Sequence, residues 1–202
     1  MTRRRLRAAL AAAALTTVLA GCGIRSTEVP TDFGAAPSRP PCGTSVSGVS
    51  AQDQATGVPV QIFLVCASRL VGVDRTVRIP TEKADTDRVR IAQALLDELS
   101  APPSAAEKEA GYATDVRRGM TVSGPRRGDP GDALRLSVRP QGLRAHALAQ
   151  LVCTYVDSAA SDGAGSVVLG GPPGTGLRRY ECPAEVRNRP DAVAPPSQPL
   201  TA

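Results

Sequence analysis

Cys22, Cys42, Cys66, Cys153 and Cys182 are the residues of this chain best suited to covalent chemistry. The last four are separated by 24, 87 and 29 residues. A structural zinc site needs close pairs such as C-x-x-C, so these wide gaps fit two disulfides better than a metal. Three connectivities are open to four cysteines. On a strand running from Val58, Cys66 falls on the side that faces the helices, and Cys153 lies at the flank of a helix, so the two can meet where sheet and helix join. Cys42 and Cys182 bracket the same stretch from outside. The expected pairing is therefore Cys66 with Cys153 and Cys42 with Cys182. Each bridge contributes about 2–4 kcal/mol, which matters in a small domain.

Other chemistry-bearing patterns resolve into turns and surfaces. Gly170-Gly171-Pro172-Pro173-Gly174-Thr175-Gly176 begins like a phosphate loop, but Leu177 and Arg178 stand where a lysine and a magnesium-holding hydroxyl are needed. A hairpin turn is the expectation, and no nucleotide. Arg127-Gly128-Asp129 matches an adhesion tripeptide inside a stretch whose glycine and proline already require a turn. His146 is the only histidine, and it falls opposite the apolar side of its helix, with no nucleophile or metal-binding partner at a useful spacing. A solvated position is expected for it. Glu107 and Glu109 read as cap and surface residues rather than general acids, so no catalytic residue and no cofactor are expected.

Cys22 differs from the other cysteines. Arg3, Arg4, Arg5 and Arg7 precede an apolar run from Ala8 to Leu19, which ends in Leu19-Ala20-Gly21-Cys22. A basic start, a short apolar stretch and small residues before a cut are the parts of a secretory leader, and the run is too short to span about 30 Å of hydrocarbon. The segment resembles a lipobox, which implies cleavage before Cys22 and a diacylglyceryl group on its thiol. Two or three acyl chains hold a protein on a membrane where one is marginal. The expected location is the extracytoplasmic face of the cell membrane, where disulfides persist.

Removing residues 1–21 also removes four of the 24 Lys+Arg and none of the 19 Asp+Glu, leaving a balance of +1. The basic excess that suggests nucleic acid belongs to the leader. Phe33, Phe63, Tyr112, Tyr155 and Tyr180 are the only aromatics, so stacking platforms for bases or sugars are scarce. Nucleic acid is not an expected partner.

The elements that must carry these residues follow from periodicity. Residues 22–57, rich in Pro, Ser, Thr, Gly and Ala, read as the lipidated start and a flexible tether. Val58 to Cys66 has apolar residues on both faces, as a central strand does. Asp85, Thr86 or Asp87 can cap a helix with the stripe Val89, Ala92, Leu95, Leu96 and Leu99, ended by Pro102-Pro103. Ser104 and Glu107 fit a capping box, with Gly111 at the exit. Thr121–Ser123 and Leu134–Val138 form an expected hairpin, and Leu143–Asp157 a second amphipathic helix. Val167–Leu169 and Leu177–Glu181 are then strands that pair. Residues 183–202, rich in proline, read as a disordered or extended tail. The fold expected over 58–182 is α+β, one domain with a mixed or antiparallel sheet and two main helices packed on one face.

Three segments of that region resemble the GerMN domain of bacterial, actinobacterial-type lipoproteins. They are Val60-Gln61-Ile62-Phe63-Leu64-Val65 with Leu70-Val71-Gly72-Val73-Asp74-Arg75; Ala94-Leu95-Leu96-Asp97-Glu98-Leu99 with Ser104-Ala105-Ala106-Glu107 and Gly111-Tyr112-Ala113-Thr114; and Ala147-Leu148-Ala149-Gln150-Leu151-Val152-Cys153-Thr154. Pro102-Pro103-Ser104 departs from the family's Gly-Pro-Thr, and Leu134-Arg135-Leu136-Ser137 departs from an acidic V-D-L-S. The resemblance implies a non-enzymatic module that binds another envelope protein. The alternative is a small-ligand-binding or accessory protein of cell-wall metabolism, with Gln150, Thr114, Tyr112 and Arg75 lining a cleft. The anchor has a direct check: Cys22→Ala should shift the protein out of the high-salt-washed membrane fraction and out of the detergent phase. Retention in both would remove the lipid anchor and the location inferred from it.

Overall fold

The computed structural model describes Cys42, residues 57–77 and residues 84–200, with only the backbone given for 84–87. The leader 1–21, Cys22, most of the tether and the capping side chains of Asp85, Thr86 and Asp87 lie outside the described residues. What is described falls within one compact unit, Arg39–Ala202.

Two strands of nine residues open it. β1 (Val58–Cys66) and β2 (Arg69–Val77) pair antiparallel from Val58↔Val77 to Cys66↔Arg69. Their two-residue turn places Ala67 and Ser68 at φ of +48° and +62°, the left-handed backbone that such tight hairpins demand. Alternation along β1 buries Ile62, Leu64 and Cys66 on one side and Phe63 on the other.

Helix α1 (Ala84–Ser100) buries the stripe Ala92, Leu95, Leu96 and Leu99. The chain then turns into α2 (Ala105–Glu109), which begins with the expected capping box: Ser104 N–H donates to Glu107 Oε2 at 2.7 Å, and Glu107 N–H to Ser104 Oγ at 3.3 Å. Gly111, at φ +85°, is the exit. β3 (Tyr112–Ala113) then pairs with β1, at Val65 and Cys66 only.

The remaining strands form a second sheet in the order β4-β5-β6-β7-β8. β4 (Val122–Ser123) and β5 (Leu134–Leu136) make the expected hairpin, and β6 (Ser166–Gly170) pairs antiparallel with β7 (Arg178–Glu181). β5 and β6 run parallel, joined by a crossover that contains a single-turn 3-10 helix (Pro140–Gly142) and α3 (Ala145–Val156). The fold is α+β, but the one sheet expected is two. The reason lies at the edge of β1 beyond β3, where side chains of α3 occupy the hydrogen-bonding groups that another strand would need. Phe63 N–H donates to Thr154 Oγ1, and Gln150 Nε2 donates to Phe63 C=O, both at 3.0 Å. Gln150 Oε1 accepts from Asp115 N–H at 2.9 Å.

The larger core joins Ile62 and Leu64 to α1, to Leu151, Val152 and Tyr155 of α3, and to Leu134, Leu136, Val167 and Leu169 of the second sheet. A smaller core lies on the other side of β1, where Phe63 and Leu70 meet Ala149, Cys153 and Val186. This second face corrects two expectations. Residues 183–200 do not form a disordered tail: they fold into α4 (Ala184–Asn188) and β8 (Ser197–Pro199), because the apolar side of β1 and β2 needs a cover and Val186 supplies it. The disulfides join Cys42 to Cys66 and Cys153 to Cys182, with Cα–Cα distances of 6.0 and 5.1 Å, not Cys66 to Cys153 and Cys42 to Cys182. Cys66 shares the Ile62 and Leu64 side of β1, whereas Cys153 packs with Phe63 on the opposite side, so the pleat separates them.

Gln150→Leu keeps the volume of a fully buried side chain but leaves Phe63 C=O and Asp115 N–H without their partner. The expected loss is about 2–4 kcal/mol of unfolding free energy in urea titration. A change below about 0.5 kcal/mol would show that α3 is not fastened to β1 in this way.

Candidate functional site

The arginines of this chain differ in what they touch. One group is used internally. Arg75 Nη2 lies 2.6 Å from Glu107 Oε1, with Nε 3.6 Å from Glu98 Oε2. Burial raises the Glu98 carboxyl above its ordinary value, against the pull of Arg75. Burial also pushes Glu107 upward, but the bond from Ser104 N–H and the Arg75 guanidinium outweigh it and leave Glu107 lowered. Arg135 is buried and holds Asp129 with both prongs, Nε to Oδ2 at 2.6 Å and Nη2 to Oδ1 at 2.7 Å. Its Nη1 donates to the carbonyls of Gly171 and Thr175, both at 3.1 Å.

Arg69, Arg127 and Arg189 are exposed and without an ion pair or side-chain hydrogen bond among the described residues, and so is a second group, Arg117, Arg118, Arg139 and Arg144. This second group converges on a groove of about 510 Å³. One wall is the loop that follows β3 and carries Arg117 and Arg118. The other runs from Val138 to Arg144, between β5 and α3. Met120, Val138, Leu143 and Ala147 give the groove an apolar floor. Asp115 is the one acidic residue in the lining; its Oδ2 lies 3.4 Å from His146 Nδ1.

The scaffold behind the groove accounts for several sequence features. Gln150 fixes the start of the first wall through Asp115 N–H, and Gln93 fixes its end, accepting from Val122 N–H at 2.8 Å. The second wall rests on the glycine-rich loop. A Cβ on Gly171 would stand 3.0 Å from Arg139 Cα and 3.1 Å from the Val138 carbonyl oxygen, so glycine permits the close approach. Arg135 holds that loop from behind. The phosphate-loop-like stretch is therefore a support for the groove wall. Asp129, the acid of the Arg-Gly-Asp tripeptide, is committed to Arg135 and to Arg126 N–H, in a turn with Gly128 at φ +90°.

Other expected site residues are placed differently. Gln150, Thr114 and Tyr112 do not line the groove. Gln150 is fully buried, Thr114 Oγ1 donates to Leu99 C=O, and Tyr112 donates to Cys42 C=O at 2.7 Å. Arg75 lines a separate, small cleft of about 230 Å³ with Glu98 and Glu107. His146 is half-buried rather than solvated, and its Nε2 is buried with no partner among the described residues. The four groove arginines escaped the sequence reading because net charge averages them with distant acids. The local signal was present in Arg117-Arg118 and in Arg139 and Arg144 just before a helix.

No family model, curated protein or solved structure matches this chain.

The hydrogen bonds from Arg135 hold the Asp129 carboxyl down from 3.8 to about 2. A lowered carboxylate contributes stability that is complete above its ordinary value and is lost as pH falls through the native one. Unfolding free energy should therefore decline between about pH 4 and pH 2, and Asp129→Asn should be less stable at neutral pH with a flatter acid limb. An unchanged acid limb in the variant, followed by circular dichroism, would remove Asp129 as its source.

Proposed function

We propose that this protein is a lipid-anchored extracytoplasmic module of GerMN type, held through diacylglyceryl-Cys22, that recognises another protein of the cell envelope and performs no turnover. The observation that carries this reading is the contrast between used and unused polar groups. Gln150, Thr154, Thr114, Glu107, Arg135 and Tyr155 all spend their polar atoms within the fold. Four exposed, unpaired arginines, by contrast, line one open groove with an apolar floor. Such a surface suits recognition, since unpaired arginines are strong donors that a partner can engage without dismantling the domain. Both cystine bridges fit an oxidising compartment. Among the described residues no helix is long and apolar enough to cross a membrane, and in this reading the lipid on Cys22 provides attachment.

Crosslinking in intact cells, followed by purification of the anchored protein, should enrich at least one envelope protein over an unrelated protein carrying the same lipidated leader. Recovery of nothing above that control would overturn the interaction role.

A further inference from the structure

We propose that the arginine-lined groove is the docking site for an extended acidic segment of the partner, one that carries an apolar side chain between its carboxylates. The inference rests on the interaction role proposed above and names the chemistry of the partner at the site.

Charge complementarity comes first. Arg117, Arg118, Arg139 and Arg144 present four guanidinium groups around one groove, and none is neutralised by an acid among the described residues. Asp115, the acid in the lining, is placed beside His146. Guanidinium forks pair with carboxylates in a bidentate manner, which rewards an extended chain offering several of them.

Shape separates a peptide from a membrane surface. A bilayer is flat and meets protruding basic side chains, whereas here the arginines rim a depression of about 510 Å³. Its floor contains Met120, Val138 and Leu143. Headgroups would leave that floor unfilled. A peptide can place an apolar side chain against the floor and its carboxylates at the rim, and methionine adapts its shape to such an insertion. The walls are fixed by Gln150 and by the loop behind Arg139, so the backbone needs little ordering on binding.

The test uses the full chain in phosphatidylcholine nanodiscs and a short fluorescein-labelled peptide of alternating Asp, Glu and Leu. Anisotropy should show binding at least about tenfold tighter than for the Asn/Gln counterpart, weakening as salt is raised. The variant Arg117→Ser/Arg118→Ser should bind the acidic peptide at least about tenfold more weakly with an unchanged Tm, since its altered side chains are exposed and unpaired. Equal binding of the two peptides, or full binding by the variant, would overturn the proposal. So would displacement of the peptide by soluble glycerophosphoglycerol at constant ionic strength, which would identify headgroups as the occupant. Repeating the cell crosslinking with the variant keeps the two readings apart. A partner recovered equally by wild type and variant would defeat the groove and spare the interaction role. Peptide binding that passes every arm, with no partner recovered from cells, would defeat the interaction role alone.

Discussion

Everything in this fold depends on how one helix satisfies the open edge of one strand. β1 is paired along its whole length on the β2 side but for only two residues on the β3 side. Buried backbone groups cannot be left unpaired without a cost of about 1–3 kcal/mol each. Gln150 and Thr154, one helical turn apart on α3, meet that need by taking the carbonyl and the amide of Phe63. The helix thus stands where a strand would otherwise continue, and the second sheet has to form elsewhere. Because Gln150 has a carbonyl left over, the same side chain also fixes Asp115 and, through it, the loop that presents Arg117 and Arg118. Fold and groove therefore share a single polar residue.

The two-faced burial of β1 has a second consequence. A strand apolar on both sides needs cover on both, and α1 and α3 cover the Ile62 and Leu64 side. The side bearing Phe63 is closed by α3 together with the segment after β7, where Val186 is fully buried and the Arg187 guanidinium lies 6.0 Å above the Phe63 ring. The Cys153–Cys182 bridge ties that segment to α3 where the two meet, and the Cys42–Cys66 bridge ties Cys42, which precedes β1 by sixteen residues, to the last residue of β1. Each disulfide closes a loop of similar length, so each fastens a peripheral segment to the core.

What was legible in the sequence was local. The stripe Ala92, Leu95, Leu96 and Leu99, the Ser104–Glu107 capping box and the β4–β5 and β6–β7 pairings follow from periodicity and from side-chain bonds within a few residues. The order of the last segment was not legible, because proline content reports an extended backbone and says nothing about whether Pro190 and Pro195 become buried. The disulfide pairing failed for a related reason: spacing fixed Cys66 on one face of β1, but which side of that strand α3 would cross was a tertiary question. The groove was hidden by averaging, since a balance near zero is compatible with charges that are locally segregated.

A chain with two lysines and many arginines invites the reading that its arginines are interchangeable surface charge. The structure assigns them opposite tasks. Arg135 is buried because its planar fork can satisfy Asp129 and two loop carbonyls at once, which a lysine ammonium could not do in that geometry. Its partner Asp129 restores local neutrality around that buried arginine. The loop it holds is the one against which Arg139 packs, so an internal arginine sets the position of an external one. Segregation of this kind leaves the domain nearly neutral overall while one groove is strongly positive, and long-range attraction to the protein as a whole stays weak. Selectivity for an acidic partner then has to come from contact within the groove, at separations shorter than the Debye length of about 8 Å.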